Sequence, residues 1–174
     1  MRSSCHDGRW AKMIALGVLA LMPLNSVGAD TPQVVLDASK TGPRTIETLT
    51  ERAILRDYRF AWLNLARALE ANSTSPLNGL FAGTANDWLT RAVNNQGRCG
   101  LSSRYLNQSH RLEAVFYAPE GDVVELHDNA EYDLQILDGS RTIHTEHVLV
   151  RYSVLMTPAA DRWVIRQLQA VPQF

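Results

Sequence analysis

From Thr48 to Ala71 the chain carries no glycine or proline, and Leu49, Ala53, Ile54, Tyr58, Ala61, Leu65 and Leu69 recur at helical spacing. Side chains at that period fall on one stripe of a helix, with Glu51, Arg52, Arg59 and Glu70 largely elsewhere. Thr48-Leu49-Thr50-Glu51 has the spacing of a capping box, in which the threonine and glutamate satisfy each other's backbone donors. A long helix packed on a core is predicted here. Asn72-Ser73-Thr74-Ser75-Pro76 ends it, because these side chains compete for backbone hydrogen bonds and proline cannot continue the ladder. A short apolar piece, Leu77 to Phe81, closes at Gly83. Thr84 to Asp87 then offers a second cap, Trp88, Leu89, Ala92 and Val93 form one face of a shorter helix, and Asn94, Asn95 and Gly97 end it.

After Gly100 the period changes to two. Leu112, Ala114 and Phe116 alternate with Glu113, Val115 and Tyr117, and Pro119 to Asp122 makes a turn. Leu126, Ala130, Tyr132, Leu134 and Ile136 alternate with polar residues, Asp138-Gly139 signals a hairpin, and Val148, Val150, Tyr152, Val154 and Met156 share the next face. Trp163 to Val171 completes the set. Helices first and strands second is an α+β layout: N-terminal helices on one face of a curved antiparallel sheet of about four long strands.

The beginning of the chain has a different character. Arg2, Arg9 and Lys12 precede a charge-free apolar run from Met13 to Leu24, and Val27-Gly28-Ala29 follows with small side chains. A membrane-spanning helix needs about 20 apolar residues, so this order reads as a secretory signal peptide over residues 1–29, cleaved after Ala29. An uncleaved inner-membrane anchor, with the domain outside the cytoplasm, is the alternative. Residues 30–44 read as a flexible lead-in and 45–174 as one domain, destined for the periplasm or for secretion. Taking away Arg2, Arg9, Lys12 and Asp7 leaves 14 Arg plus Lys against 17 Asp plus Glu. That acidic balance argues against nucleic acid. Cys99 is then the only cysteine, so the chain has no internal disulfide.

The ends of the strands carry a resemblance. Ala130-Glu131-Tyr132, Val150-Arg151-Tyr152-Ser153-Val154 and Asp161-Arg162-Trp163-Val164-Ile165 are similar to the strand endings of the nuclear-transport-factor-2-like superfamily, in the branch found in plastid-division proteins. The resemblance implies a cone-shaped α+β fold. It also implies two kinds of function: exported or membrane-tethered assembly and scaffold parts, such as domains of type IV secretion factors, and small enzymes such as dehydratases and ketosteroid isomerases. Enzymes of this fold work between the long helix and the concave sheet face.

The residues expected in that space carry the candidate chemistry. Asp128 shares strand parity with Leu126, Ala130 and Tyr132 and should face the core, where a carboxylate is costly unless paired. Tyr58 and Trp62 on the helix, with Tyr132 and Tyr152 on the sheet, complete a candidate ligand-binding cleft. It suits a small apolar ligand or a partner protein's segment. If the protein is an enzyme, Asp128 is the base and Tyr132 or Tyr152 the proton donor of a small lyase or isomerase. His110, His127, His144 and His147 read as surface strand histidines, and their parities assemble no metal site. No cofactor motif is present, and the outer sheet face, with His127, Leu149 and Arg151, is available for a homodimer. Residues 1–29 fused to a reporter active only outside the cytoplasm should give signal, and the exported protein should begin at Asp30 by mass spectrometry. Cytoplasmic retention contradicts export, and an intact N-terminus in the membrane fraction selects the anchored form.

Overall fold

The computed structural model describes residues 30–173, so the export segment expected over residues 1–29 lies outside the described residues. Helix α1 spans Thr48–Ala71, as the apolar period requires. Its N-cap is Glu47 rather than Thr48, and no side chain caps it. The capping box does not form because Thr48 is already helical. The Glu47 carbonyl accepts from the Glu51 N–H at 2.9 Å, and Arg44 Nε donates to the Glu47 carboxylate at 3.0 Å. Leu49, expected on the apolar stripe, is 78% exposed. The helix stops at Asn72, left-handed with φ 51, a conformation asparagine tolerates better than most residues. Its Nδ2 donates to the Leu101 carbonyl at 2.8 Å and ties the helix end to the sheet.

Helix α2 spans Gly83–Arg98, with Ala82 at its N-cap. The expected Thr84 to Asp87 cap is therefore also inside the helix, and Thr84 Oγ1 donates to the Arg166 carbonyl at 3.3 Å. Asn94, Asn95 and Gly97 do not end α2, which continues to Arg98 before Gly100 turns the chain at φ 69. Ala85, Leu89 and Val93 are its buried face, and Trp88 is turned half out of it.

Six strands form one sheet. They are β1 (Gln33–Asp37), β2 (Gly42–Pro43), β3 (Leu101–Tyr117), β4 (Val124–Asp138), β5 (Arg141–Pro158) and β6 (Trp163–Val171). β3 to β6 are the expected antiparallel meander. β1 and β2, by contrast, occupy the stretch read as a lead-in and pair in parallel with β3. A strand of five residues and one of two carry too little periodicity to be read from sequence; their partner strand defines them.

Bulges decide which side chains face the helices. β3 shifts register between Leu106 and Ser109, where Asn107 is left-handed, and again between Ala114 and Phe116. Each extra residue reverses the in–out alternation. The first shift turns Gln108 and His110 inward beside Leu112 and Ala114. The second turns Phe116 outward and buries Tyr117, reversing the expected pair.

Asp57 fastens α1 to the last strand. Its Oδ2 accepts the Trp163 N–H at 2.8 Å, and Arg56 Nε donates to Oδ1 at 2.7 Å. Trp163 begins β6 with its indole buried. Truncation of a buried aromatic costs roughly 3–5 kcal/mol, so Trp163→Ala should lower the denaturation midpoint strongly. Asp57→Ala should cost about 1–3 kcal/mol, because it leaves a buried N–H without an acceptor. Denaturant titration measures both, and an unchanged midpoint for Asp57→Ala would show that the helix–strand tie carries no stability.

Candidate functional site

At the centre of the fold three polar side chains from three elements meet. Tyr58 on α1 donates its hydroxyl to Asp128 Oδ2 on β4 at 2.7 Å. His110 Nδ1 on β3 lies 2.8 Å from the same oxygen. With the carboxylate ionised, Nδ1 carries the proton and donates to it. All three residues are fully buried. Burial, and next the Asp128 charge, push the Tyr58 phenol well above its ordinary range, which fixes it as a donor. Asp128 Oδ1, His110 Nε2 and the whole Gln108 side-chain amide are buried with no hydrogen-bond partner. The triad is thus tied on one side and unsatisfied on the other.

Trp62 lies against this group. Its ring is 4.3 Å from the His110 ring and 5.6 Å from Tyr152, centre to centre. Tyr132 stands 6.4 Å from Trp62 and stacks on Tyr105 at 4.6 Å. Burial, and next the neighbouring Tyr132, raise the phenols of both Tyr105 and Tyr152. Phenols held protonated in this way are hydrogen-bond donors and weak acids.

The other side of Trp62 forms the wall of a cleft of about 210 Å³ between α1, α2 and the sheet. Leu65, Leu69, Leu89, Tyr105, Tyr152 and Leu168 line it, with Trp88 beside them. Two of its polar side chains, Ser103 and Gln96, are tied to each other and to the end of α1. Ser103 Oγ donates to Gln96 Oε1 at 2.8 Å, and Gln96 Nε2 donates to Asn72 Oδ1 at 2.7 Å and to the Leu69 carbonyl. The cleft therefore offers an apolar surface. Of the five residues expected to line one cavity, Trp62 and Tyr152 border this cleft. Tyr58 and Asp128 lie behind Trp62, and Tyr132 stacks beneath Tyr105.

No family model matches the chain, and no curated protein matches it. Among solved structures, the intermembrane space region of chloroplast protein ARC6 superposes with a TM-score of 0.58 at 15% identity, over 74% of this chain and 98% of that one. The chain has the nuclear-transport-factor-2-like fold. A protein named as a scytalone dehydratase from Novosphingobium aromaticivorans overlaps more loosely, with a TM-score of 0.43 at 12% identity over 71% of this chain and 85% of that one.

Within this fold the histidines divide. His110 is buried at the centre, against the expectation of a surface residue, because the bulge at Asn107 turns it inward. Its period-two spacing with Leu112 and Ala114 was the signal that could have found it. His144 and His147 are exposed on β5. His147 Nδ1 lies 2.8 Å from Asp133, which also accepts Asn107 Nδ2 at 2.7 Å. The bond to His147 is the main cause of the lowered Asp133 pKa, and the same bond raises His147. No group of His, Cys, Asp and Glu side chains among the described residues is arranged to hold a metal ion.

Hydrogen bonds to charged groups are worth about 1.5–3 kcal/mol each. Tyr58→Phe should therefore cost about that much, and Asp128→Asn should also destabilise. The double variant should lose less than the two losses added together, since both break one bond. Denaturant titration of the four proteins checks this. A stabilising Asp128→Asn would instead mean that the buried carboxylate is a strained group rather than a tie.

Proposed function

We propose that this chain is an exported binding module of the cell envelope that takes a small apolar ligand, or an apolar side chain of a partner segment, into the cleft between its helices and sheet. The observation that carries this reading is the chemistry of the cleft wall. Aromatic and aliphatic side chains make up most of the lining, and the amide and hydroxyl among them, Gln96 and Ser103, are paired with each other. A polar ligand would find no free donor or acceptor in that pair. An apolar one gains by leaving water. Trp88, 47% exposed, supplies an aromatic edge at the border of the cleft. The order of basic, apolar and small residues over 1–29 supports the address.

A second reading, a small lyase or isomerase, rests on the unpartnered Asp128 Oδ1 and His110 Nε2. Asp128 would act as base and Tyr132 or Tyr152 as proton donor. Against it stand the sealed position of the triad behind Trp62 and the raised Tyr152 phenol, a weak acid.

Ala92 borders the cleft from α2 and is only partly buried. Ala92→Phe should fill the cleft with little effect on folding. The wild-type protein should bind a neutral aromatic fluorophore such as 1-aminoanthracene, and the variant should bind it at least roughly tenfold more weakly, a loss of about 1.4 kcal/mol. Equal binding by the two proteins, with unchanged melting temperatures, overturns the cleft as the site. A dehydratase or isomerase activity lost in Asp128→Asn, with fluorophore binding retained, selects the enzyme.

A further inference from the structure

The solvent side of α1 has a pattern of its own. Leu49, Arg52, Arg56, Phe60, Leu63 and Arg67 follow one another at intervals of three and four residues, which places them on a single stripe. Leu49 and Phe60 on that stripe are exposed large apolar residues, and Arg52, Arg56 and Arg67 are exposed. The stripe faces away from the buried residues of α1, so core packing gives these apolar side chains no role.

Beside it lies a groove of about 470 Å³, bordered by Arg56, Arg59, Phe60, Leu63 and Arg162. Its two carboxylates are engaged already. Asp57 holds Arg56 and the Trp163 N–H, and Asp161 holds Arg162. Arg52, Arg59 and Arg67 have no carboxylate partner among the described residues; Arg59 reaches only the Val34 carbonyl at 3.4 Å. The stripe and groove therefore present unneutralised guanidinium groups interleaved with apolar side chains.

Thr31 also borders this groove. The apolar run ends at Leu24, seven residues earlier in the sequence. Seven residues span at most about 25 Å, so a membrane holding that run in the uncleaved chain is within reach of the stripe.

We propose that the outer face of α1, from Leu49 to Arg67, docks on the surface of a bilayer rich in anionic lipid. The arginines pair with lipid phosphates, and Phe60 and Leu49 enter the headgroup layer. Docking in this way turns the sheet's outer face away from the membrane and leaves it open to a partner. The inference is independent of the cleft and of what fills it, and it rests on the anchored form of the chain rather than the cleaved one.

The test uses the full chain, with Cys5 and Cys99 replaced by serine, in nanodiscs of phosphatidylcholine alone or mixed with phosphatidylglycerol. A spin label is placed at Phe60→Cys or, as a control beyond the sheet, at Leu149→Cys, a site 72% exposed in the native chain. Electron paramagnetic resonance with oxygen and with a water-soluble nickel chelate reports the depth of each label. Label 60 should be lipid-immersed in phosphatidylglycerol discs and aqueous in phosphatidylcholine discs, with label 149 aqueous in both. Arg52→Glu/Arg67→Glu should return label 60 to water, since each arginine near an anionic surface contributes roughly fivefold to partitioning. A label 60 that is aqueous in both lipids, or equally immersed in both, overturns the proposal, as does failure of the chain to join discs of either kind. Immobilisation of label 60 by a soluble acidic peptide, with no change of depth on anionic discs, assigns the face to a protein partner instead.

Discussion

A carboxylate without exposure to water needs donors, and Asp128 finds them for one of its oxygens in side chains from two other elements. Tyr58 comes down from α1 and His110 crosses from β3, both to the same oxygen of a β4 residue. Removing charge from water is expensive unless such bonds replace its hydration. The position of the long helix over the sheet is therefore fixed chemically as well as by packing. A slide of α1 along the sheet would preserve much of the apolar contact but would break the bond from Tyr58. Asp57 does a similar job one residue earlier, on the other side of the helix, by accepting the first N–H of β6. The neighbouring residues Asp57 and Tyr58, the second through Asp128, hold α1 against the last and the middle strands of the sheet.

Around that anchor the fold separates two environments by the thickness of one indole ring. Trp62 covers His110 on one side and borders the apolar cleft on the other. Behind it are polar atoms with unmet hydrogen-bonding capacity, and in front of it is a mainly aromatic and aliphatic surface on which Ser103 and Gln96 are paired. A binding role uses the front and leaves the triad as structure. A catalytic role needs Trp62 to move, so that a substrate in the cleft could reach the free oxygen of Asp128. The same ring thus distinguishes the two readings.

The outside of the molecule is divided as well. The face of α1 that turns from the core is cationic and partly apolar, while the far side of the sheet carries His147 between Glu131 and Asp133 in close exchange of charge. Paired charges of the second kind are well solvated and mutually satisfied. Arginines without partners beside exposed phenylalanine and leucine are a different kind of surface, one that gains by meeting anions and excluding water together.

Much of the architecture was legible from periodicity together with the residues that break helices and make turns. The limits of α1 and β6, the hairpin at Asp138-Gly139 and the inward face of Asp128 follow from spacings of four and two along uninterrupted stretches, where local geometry leaves no choice. The caps of both helices were not legible, because Glu47 and Ala82 act through backbone geometry while the residues that look like caps, Thr48 and Thr84, have already entered the helix. β1 and β2 were hidden for another reason: they are too short to have a period and exist through their pairing with β3. The candidate triad lay between these cases. Asp128 and Tyr58 could be placed by parity, and His110 shares its period of two with Leu112 and Ala114, but that His110 meets the Asp128 carboxylate depends on the register of β3 against β4. Sequence spacing determines which side chains share a face within an unbroken strand or helix. Register between strands, and the bulges that reset it, belong to the tertiary structure, because they are set by hydrogen bonds to residues distant in the chain.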